Sequence, residues 1–82
     1  MGIRRPASLA ELPAGARGTI VAVPVEDAAL AGELASLRIL PGEPVEVMEA
    51  MPFGGPLLVR TAGGMYALGR RLAGRIAVVE DP

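Results

Sequence analysis

The sequence predicts a mainly β domain in which five short strands curl into a small barrel, with one short α-helix between the first and second strands. Apolar, β-branched segments of strand length recur between glycine and proline breakers, and only one longer stretch has a helical period. A chain of 82 residues buries about 60% of its unfolded surface, enough for one modest core. We therefore expect residues 1–82 to form a single domain.

The N-terminal part predicts one helical turn followed by the first strand. Ser8 and Glu11 have the spacing of a capping box, which indicates a short turn before Pro13. Residues 19–25 are β-branched and apolar, and Pro24 near their end favours a strand at a sheet edge.

The predicted helix begins after Asp27, a good N-cap residue, and ends before the turn signal Pro41-Gly42. Its apolar residues recur at the i, i+4 and i+7 positions of one helix face: Leu30, Leu34 and Leu37. Gly32 lies in the middle of this helix, at a cost near 1 kcal/mol relative to alanine.

The C-terminal half predicts four more strands, at residues 45–50, 57–61, 65–68 and 75–79. Val45 and Val47 should face the core, with Glu46 facing outward. The segment 51–55 is predicted to be the loop between the strands at 45–50 and 57–61. Residues 62–64 should form a hairpin turn, and residues 70–73 should form a helical turn. Because such short strands need few open edges, we expect an SH3-like barrel.

The composition excludes most catalytic and metal chemistry. The chain has no histidine, cysteine or lysine, so Ser-His and Cys-His nucleophiles, zinc sites and Schiff bases are excluded. Glu46 and Glu49 are an odd number apart and should point to opposite faces of a regular strand, so they should not converge on iron. We expect no enzyme activity, no catalytic residue, no cofactor and no specific metal site, although weak metal binding stays open.

Hydropathy and charge place the chain among cytoplasmic proteins in this interpretation. Its longest apolar run, near residues 20–25, is far below the length of a membrane-spanning helix, and the first 12 residues do not resemble a signal peptide. Residues 26–50 carry six acidic residues and one arginine, whereas both flanks are basic. We favour a solvated acidic face, with a polarised surface that orients a partner as the alternative.

The order of these motifs resembles the FeoA family, small cytosolic SH3-like proteins that accompany the ferrous iron transporter FeoB. The resemblance covers almost the whole chain and rests on three patterns: Leu34-x-x-Leu37-x-Ile39-x-Pro41-Gly42, Gly55-Pro56-Leu57-x-Val59, and Ala67-Leu68 with Ala73 and Ile76-x-Val78. It implies an adaptor that contacts the cytosolic part of a FeoB-type membrane transporter. Nucleic acid and membrane insertion are not expected, and homo-oligomers are possible.

The chain departs from the family pattern at two positions. Arg38 stands where the family usually has a left-handed glycine, so the helix is expected to end differently or Arg38 to contact the last helical carbonyls. Gly69 stands where the family commonly has arginine, although Arg70 and Arg71 follow directly.

Five residues are predicted to bind the partner: Met51, Phe53, Tyr66, Arg70 and Arg71. Met51 and Phe53 place bulky side chains in a loop, where Phe53 either contacts the partner or folds back onto the barrel. Arg70 and Arg71, with Arg75 and Arg60, form a basic cluster that is either solvated or faces an acidic partner.

Three other functions stay open at this point. The first is a regulatory or RNA-binding module related to the C-terminal domain of iron-dependent repressors, although the acidic pI and few aromatics count against RNA. A groove for proline-rich peptides would have only Tyr66 and Phe53 as aromatics. Hydrolysis by Glu46 with Glu43 or Glu49 is the enzyme alternative.

Overall fold

The computed structural model describes residues 5–82 and contains six strands and three short helical segments. The strands are β1 (Ala7–Ser8), β2 (Arg17–Ala22), β3 (Pro44–Ala50), β4 (Leu57–Thr61), β5 (Gly64–Leu68) and β6 (Ala77–Glu80). The helical segments are a 3₁₀ turn (Leu9–Glu11), α1 (Ala28–Ser36) and α2 (Arg70–Ala73). The fold is therefore mainly β, as predicted, and the helical turn at residues 70–73 has the predicted bounds.

All strand pairs are antiparallel, in the order β1-β6-β2-β3-β4-β5. The predictions of five strands and of a closed barrel are wrong in detail: the sheet has six strands and, within residues 5–82, leaves β1 and β5 as open edges. β1 has only two residues before the chain enters the 3₁₀ turn, so it is too short to bridge to β5 and too short to show an alternating pattern in the sequence. Because β1 comes before the strand that was predicted to be the first, α1 lies between the second and third strands and not between the first and second.

β2 is a central strand and not the predicted edge strand. It pairs with β3 on one side and with β6 on the other, and it ends at Ala22, so Pro24 lies outside it and removes no ladder donor. Gly18 allows the backbone of β6 to lie close to β2, because a Cβ atom at this position would lie 2.4 Å from the carbonyl oxygen of Val79.

The helix begins as predicted, since the Asp27 carboxylate accepts a hydrogen bond of 3.0 Å from the backbone N–H of Leu30. Leu34 is buried, and Leu30 and Leu37 pack against the core from the same face. At the C-terminus, Ile39 N–H donates to the Leu34 carbonyl at 2.8 Å, one of the two bonds of a Schellman motif.

Arg38 occupies the left-handed position of this motif with φ 63°, and its own N–H donates to Ala35 at 2.9 Å. The expectation that the helix ends differently at this residue is therefore wrong: the backbone keeps the left-handed turn despite the side chain. The guanidinium does not cap the helix but lies 3.6 Å from the Glu43 carboxylate.

The β4–β5 hairpin closes against the end of α1. The Thr61 hydroxyl donates to the Leu37 carbonyl at 2.7 Å and accepts from Gly63 N–H at 3.0 Å. Thr61 is buried, and this bond satisfies a helix-terminal carbonyl that would otherwise lack a donor.

One core lies between the concave sheet face, the 3₁₀ turn and α1. Its fully buried large side chains are Leu9, Ile20, Leu34, Ile39, Val47, Leu57, Val59, Ile76 and Val78. Val45 and Val47 face this core and Glu46 faces outward, as predicted. No helix within residues 5–82 is long and apolar enough to span a bilayer.

Candidate functional site

The loop between β3 and β4 presents the most exposed large apolar side chain in the described part of the chain. Phe53 has a relative exposure of 103%, and Met51 is exposed at 37%. The alternative in which Phe53 folds back onto the sheet is therefore wrong for this structure.

A tight turn holds Phe53 in this position. Gly55 N–H donates to the Pro52 carbonyl at 3.1 Å, and Phe53 and Gly54 have φ values of 60° and 72°. Two consecutive left-handed residues are the signature of a type I′ turn, whose first central position favours asparagine, aspartate or glycine. A left-handed phenylalanine costs about 1–2 kcal/mol, so the turn holds an aromatic ring in solvent at a conformational cost.

Arg70 anchors both ends of this turn to the rest of the domain. Its Nε donates to the Gly55 carbonyl at 3.1 Å and its Nη2 to the Met51 carbonyl at 2.9 Å. Its Nη1 donates to the Ala10 carbonyl at 3.3 Å, in the 3₁₀ turn. Arg70 is thus half-buried and committed to three backbone carbonyls, so it positions the Phe53 turn and is not available as a surface cation.

The remaining arginines of the predicted basic cluster are dispersed. Arg75 forms an ion pair with Glu26, and Arg60 lies 3.7 Å from Glu46 on the outer face of the sheet. Arg71 is exposed beside Arg70. Arg71 is accordingly the member of the cluster that best suits contact with an acidic partner.

Tyr66 lies on β5 but is directed away from the Phe53 turn. It is half-buried against the core, and its hydroxyl donates to the Gly63 carbonyl at 2.6 Å, at the hairpin end of β5. The Phe53 turn and α2 adjoin the opposite end, where Leu57 pairs with Leu68. The structure therefore groups Met51, Phe53, Arg70 and Arg71, and it assigns Tyr66 to the hairpin.

The carboxylates on β3 are arranged differently from the prediction. A bulge at Met48 shifts the register, so that Glu46 pairs with Arg60 and Glu49 pairs with Leu58. Paired residues share a sheet face, and so the two glutamates lie on the same outer face, contrary to the expectation from a regular strand. Within residues 5–82 no group of three or more acidic side chains is placed to hold a metal ion.

A shallow groove of about 340 Å³ is lined by residues of β2, β3 and β4. Its lining includes Arg17, Glu46, Arg60, Thr61 and Asp81. The one hydroxyl in this set, that of Thr61, is already bonded to the Leu37 carbonyl. Glu46 is paired with Arg60, so the groove presents no nucleophile next to a base.

Met65 is a further exposed apolar side chain that the sequence pattern did not indicate, and it is half exposed on β5. The signal that could have found it is the composition of β5 itself, since Gly-Met-Tyr-Ala-Leu contains neither a charge nor a proline. Similarly, the left-handed conformation of Phe53 could not be read from its residue type.

The family model described as FeoA domain matches residues 7–80. No curated protein sequence matches the chain significantly.

Among solved structures, the chain is similar to an iron uptake regulatory protein (FeoA), with 28% identity, a TM-score of 0.83, and coverage of 94% of this chain and 100% of that one. It is also similar to the zinc-complexed FeoA of Stenotrophomonas maltophilia, described as a prokaryotic SH3 domain protein. That match has 30% identity, a TM-score of 0.74, and coverage of 89% and 93%.

A manganese-dependent transcriptional repressor shares the fold, with a TM-score of 0.84 and 22% identity. The alignment covers 99% of this chain but only 45% of the repressor. The present fold therefore corresponds to one part of that longer protein.

Proposed function

The chain belongs to the FeoA domain family, and from this premise we propose that it is an accessory protein of ferrous iron uptake. It acts by protein–protein contact on the cytosolic part of a FeoB-type membrane transporter. In this proposal residues 1–82 work as one domain in the cytoplasm and catalyse no reaction. The similarity to solved FeoA structures and the SH3-like fold support this assignment.

The observation that carries the proposal is the Phe53 turn. An aromatic ring that is wholly in solvent gains nothing for the isolated fold, yet the turn that presents it adopts a costly left-handed conformation. Aromatic side chains are enriched among residues that dominate binding energy at protein interfaces. Since Arg70 fixes both ends of the turn, the ring is pre-organised and loses little conformational freedom on binding.

The proposal that the domain catalyses no reaction is supported by the state of the polar side chains that line the groove beside β2, β3 and β4. The Thr61 hydroxyl donates to the Leu37 carbonyl, and the Glu46 carboxylate is paired with Arg60. The chain also lacks histidine, cysteine and lysine throughout its sequence.

The test compares Phe53→Ala with the matched control Val25→Ala, a second exposed apolar side chain, which lies in the connection between β2 and α1. Binding to the purified cytosolic part of the transporter is measured by calorimetry, and ferrous uptake is measured in a deletion strain complemented with each variant. Phe53→Ala should weaken binding about tenfold or more, as expected for an aromatic hot spot, and should reduce uptake.

The melting temperature of Phe53→Ala should stay near that of the wild type, because the ring is wholly exposed and alanine meets the same left-handed strain. Equal binding by wild type and Phe53→Ala, or equal weakening by Val25→Ala, would contradict the proposal.

The fold shared with a manganese-dependent repressor supports the second candidate, a free-standing regulatory module. Its RNA-binding form has less support, because Arg60, Arg70 and Arg75 all have partners within the protein. RNA affinity that falls steeply with salt, together with no binding to the transporter, would favour this second function.

A further inference from the structure

β5 is an edge strand without the features that usually protect one. It has five residues in continuous register with β4, whereas the bulges of this sheet lie in other strand pairs. It contains no charged residue and no proline, and Gly64, Met65 and Ala67 are exposed. Edge strands of monomeric proteins are normally blunted by charges, proline, bulges or short length, so β5 can accept another strand.

The opposite edge shows the contrast. β1 has only two residues and leads at once into the 3₁₀ turn, so it offers almost no backbone for pairing. Along β5, alternate residues of the antiparallel ladder direct both backbone polar groups away from β4. Within residues 5–82, β5 is therefore the sheet edge that is competent for strand addition.

The surroundings of β5 determine which strand it would accept. Residues 51–79 contain four arginines and no acidic residue, and they include β4, the Phe53 turn, β5 and α2. Of those arginines, Arg71 is exposed at the end of β5 where the Phe53 turn also lies. This edge is thus apolar along its length and basic at one end.

We infer that β5 binds an extended segment of a partner protein as an additional strand, and that this segment alternates apolar residues with an acidic residue placed near Arg71. This inference rests on the proposed function in one respect, which is that the cytosolic part of the transporter is taken as the source of the added segment. Main-chain hydrogen bonds supply the attachment, as in other complexes formed by strand addition. A second copy of this chain fits less well, since its β5 carries no acidic residue for Arg71.

The first experiment follows backbone amide exchange in the ¹⁵N-labelled protein, alone and with the cytosolic part of the transporter. In the complex, the exchange rates of alternate backbone amides of β5 should fall by about tenfold or more, while the exchange rates of the β1 amides stay unchanged. Slowing confined to the Phe53 turn and α2 would overturn the inference and leave the proposed function intact.

The second experiment needs no transporter and uses two synthetic peptides, EVTVTVE and KVTVTVK. The glutamate peptide should protect β5, and Arg71→Glu should weaken its binding about three- to tenfold, whereas the control Arg17→Glu on β2 should not. Protection of β5 by the glutamate peptide without any binding to the transporter would refute the proposed function and support this inference.

Three outcomes would overturn the inference: equal binding of both peptides, no protection of β5 by either, or concentration-dependent protection of β5 in the protein alone with dimers in sedimentation. The last outcome would identify a second copy as the occupant of this edge.

Discussion

Replacing Arg70 by alanine removes the donors for three backbone carbonyls at once. Those carbonyls belong to Met51, Gly55 and Ala10, which lie 19, 15 and 60 residues away along the chain. The guanidinium therefore joins the Phe53 turn to the 3₁₀ turn. Loss of Arg70 should destabilise the fold and loosen the turn together.

The magnitude follows from the environment of each bond. The bonds to Gly55 and Ala10 are partly buried, and each is worth about 1–1.5 kcal/mol, whereas the exposed bond to Met51 contributes little. The expected loss is about 2–3 kcal/mol. A domain of this length has a free energy of unfolding of about 4–12 kcal/mol, and so the melting temperature should fall by roughly 10–20 °C.

Arg71→Ala is the matched control, because Arg71 is the same residue type, adjacent in α2 and exposed. Its free energy of unfolding should stay within about 0.5 kcal/mol of the wild type. Arg70→Lys should recover less than half of the loss, since one ammonium group cannot reach three separated carbonyls. Thermal and urea unfolding followed by circular dichroism measure all three variants.

Amide exchange of Met51 and Gly55 reports on the turn separately from global stability. Both amides donate to carbonyls within the loop, at 3.1 Å, and both should exchange about tenfold faster or more in Arg70→Ala under native conditions. Equal stability of Arg70→Ala and Arg71→Ala, or unchanged exchange in the turn, would refute the structural role given to Arg70.

Three further predictions test local features of the fold. Arg38→Gly should raise the free energy of unfolding by up to about 1 kcal/mol in urea titrations, because glycine relieves the left-handed strain and only an exposed ion pair is lost. The backbone N–H and side chain of Ser8 lower the pKa of Glu11 below 4.5, so its contribution to stability is present above that pH and lost below it. The stability difference between wild type and Glu11→Gln should accordingly stay nearly constant from pH 6 to 5 and shrink as the pH falls below 4.5, and a difference that stays constant below 4.5 would contradict the assignment. Gly18→Ala should cost several kcal/mol or prevent folding, because its Cβ would meet a backbone carbonyl of β6, whereas Gly32→Ala in open space should stabilise α1 by up to about 1 kcal/mol.

Local signals in the sequence predicted most of the elements. Asp27 as the helix cap, the Pro41-Gly42 turn with Gly42 at φ 92°, and β4 at residues 57–61 are all found as expected, because each depends on residues that are neighbours in the chain. The bulge at Met48 depends on how β3 pairs with β4, so no pattern within β3 could reveal that Glu46 and Glu49 share a face.

The candidate site was only partly predictable for a similar reason. Met51 and Phe53 stand out in the sequence as bulky side chains between loop-forming residues, and both are exposed in the structure, whereas their contact with a partner stays a prediction. Arg70 and Arg71 look equivalent in the sequence, but the three acceptors of Arg70 come from distant segments that only the folded chain assembles. Arg38 shows the opposite case, in which the local residue preference was overridden by the burial of Ile39 and its backbone hydrogen bond to Leu34.

The pairing of β1 with β6 also has a consequence for how the domain can be joined to other polypeptides. Ala7 lies opposite Val78, so the N-terminal and C-terminal strands of the described residues are paired neighbours at one end of the strand order, whereas β5 is at the other end. A circular permutation through a short linker should therefore be tolerated, because it would join two strands that already pair. The same geometry is compatible with this fold occurring inside longer chains, as it does in the manganese-dependent repressor.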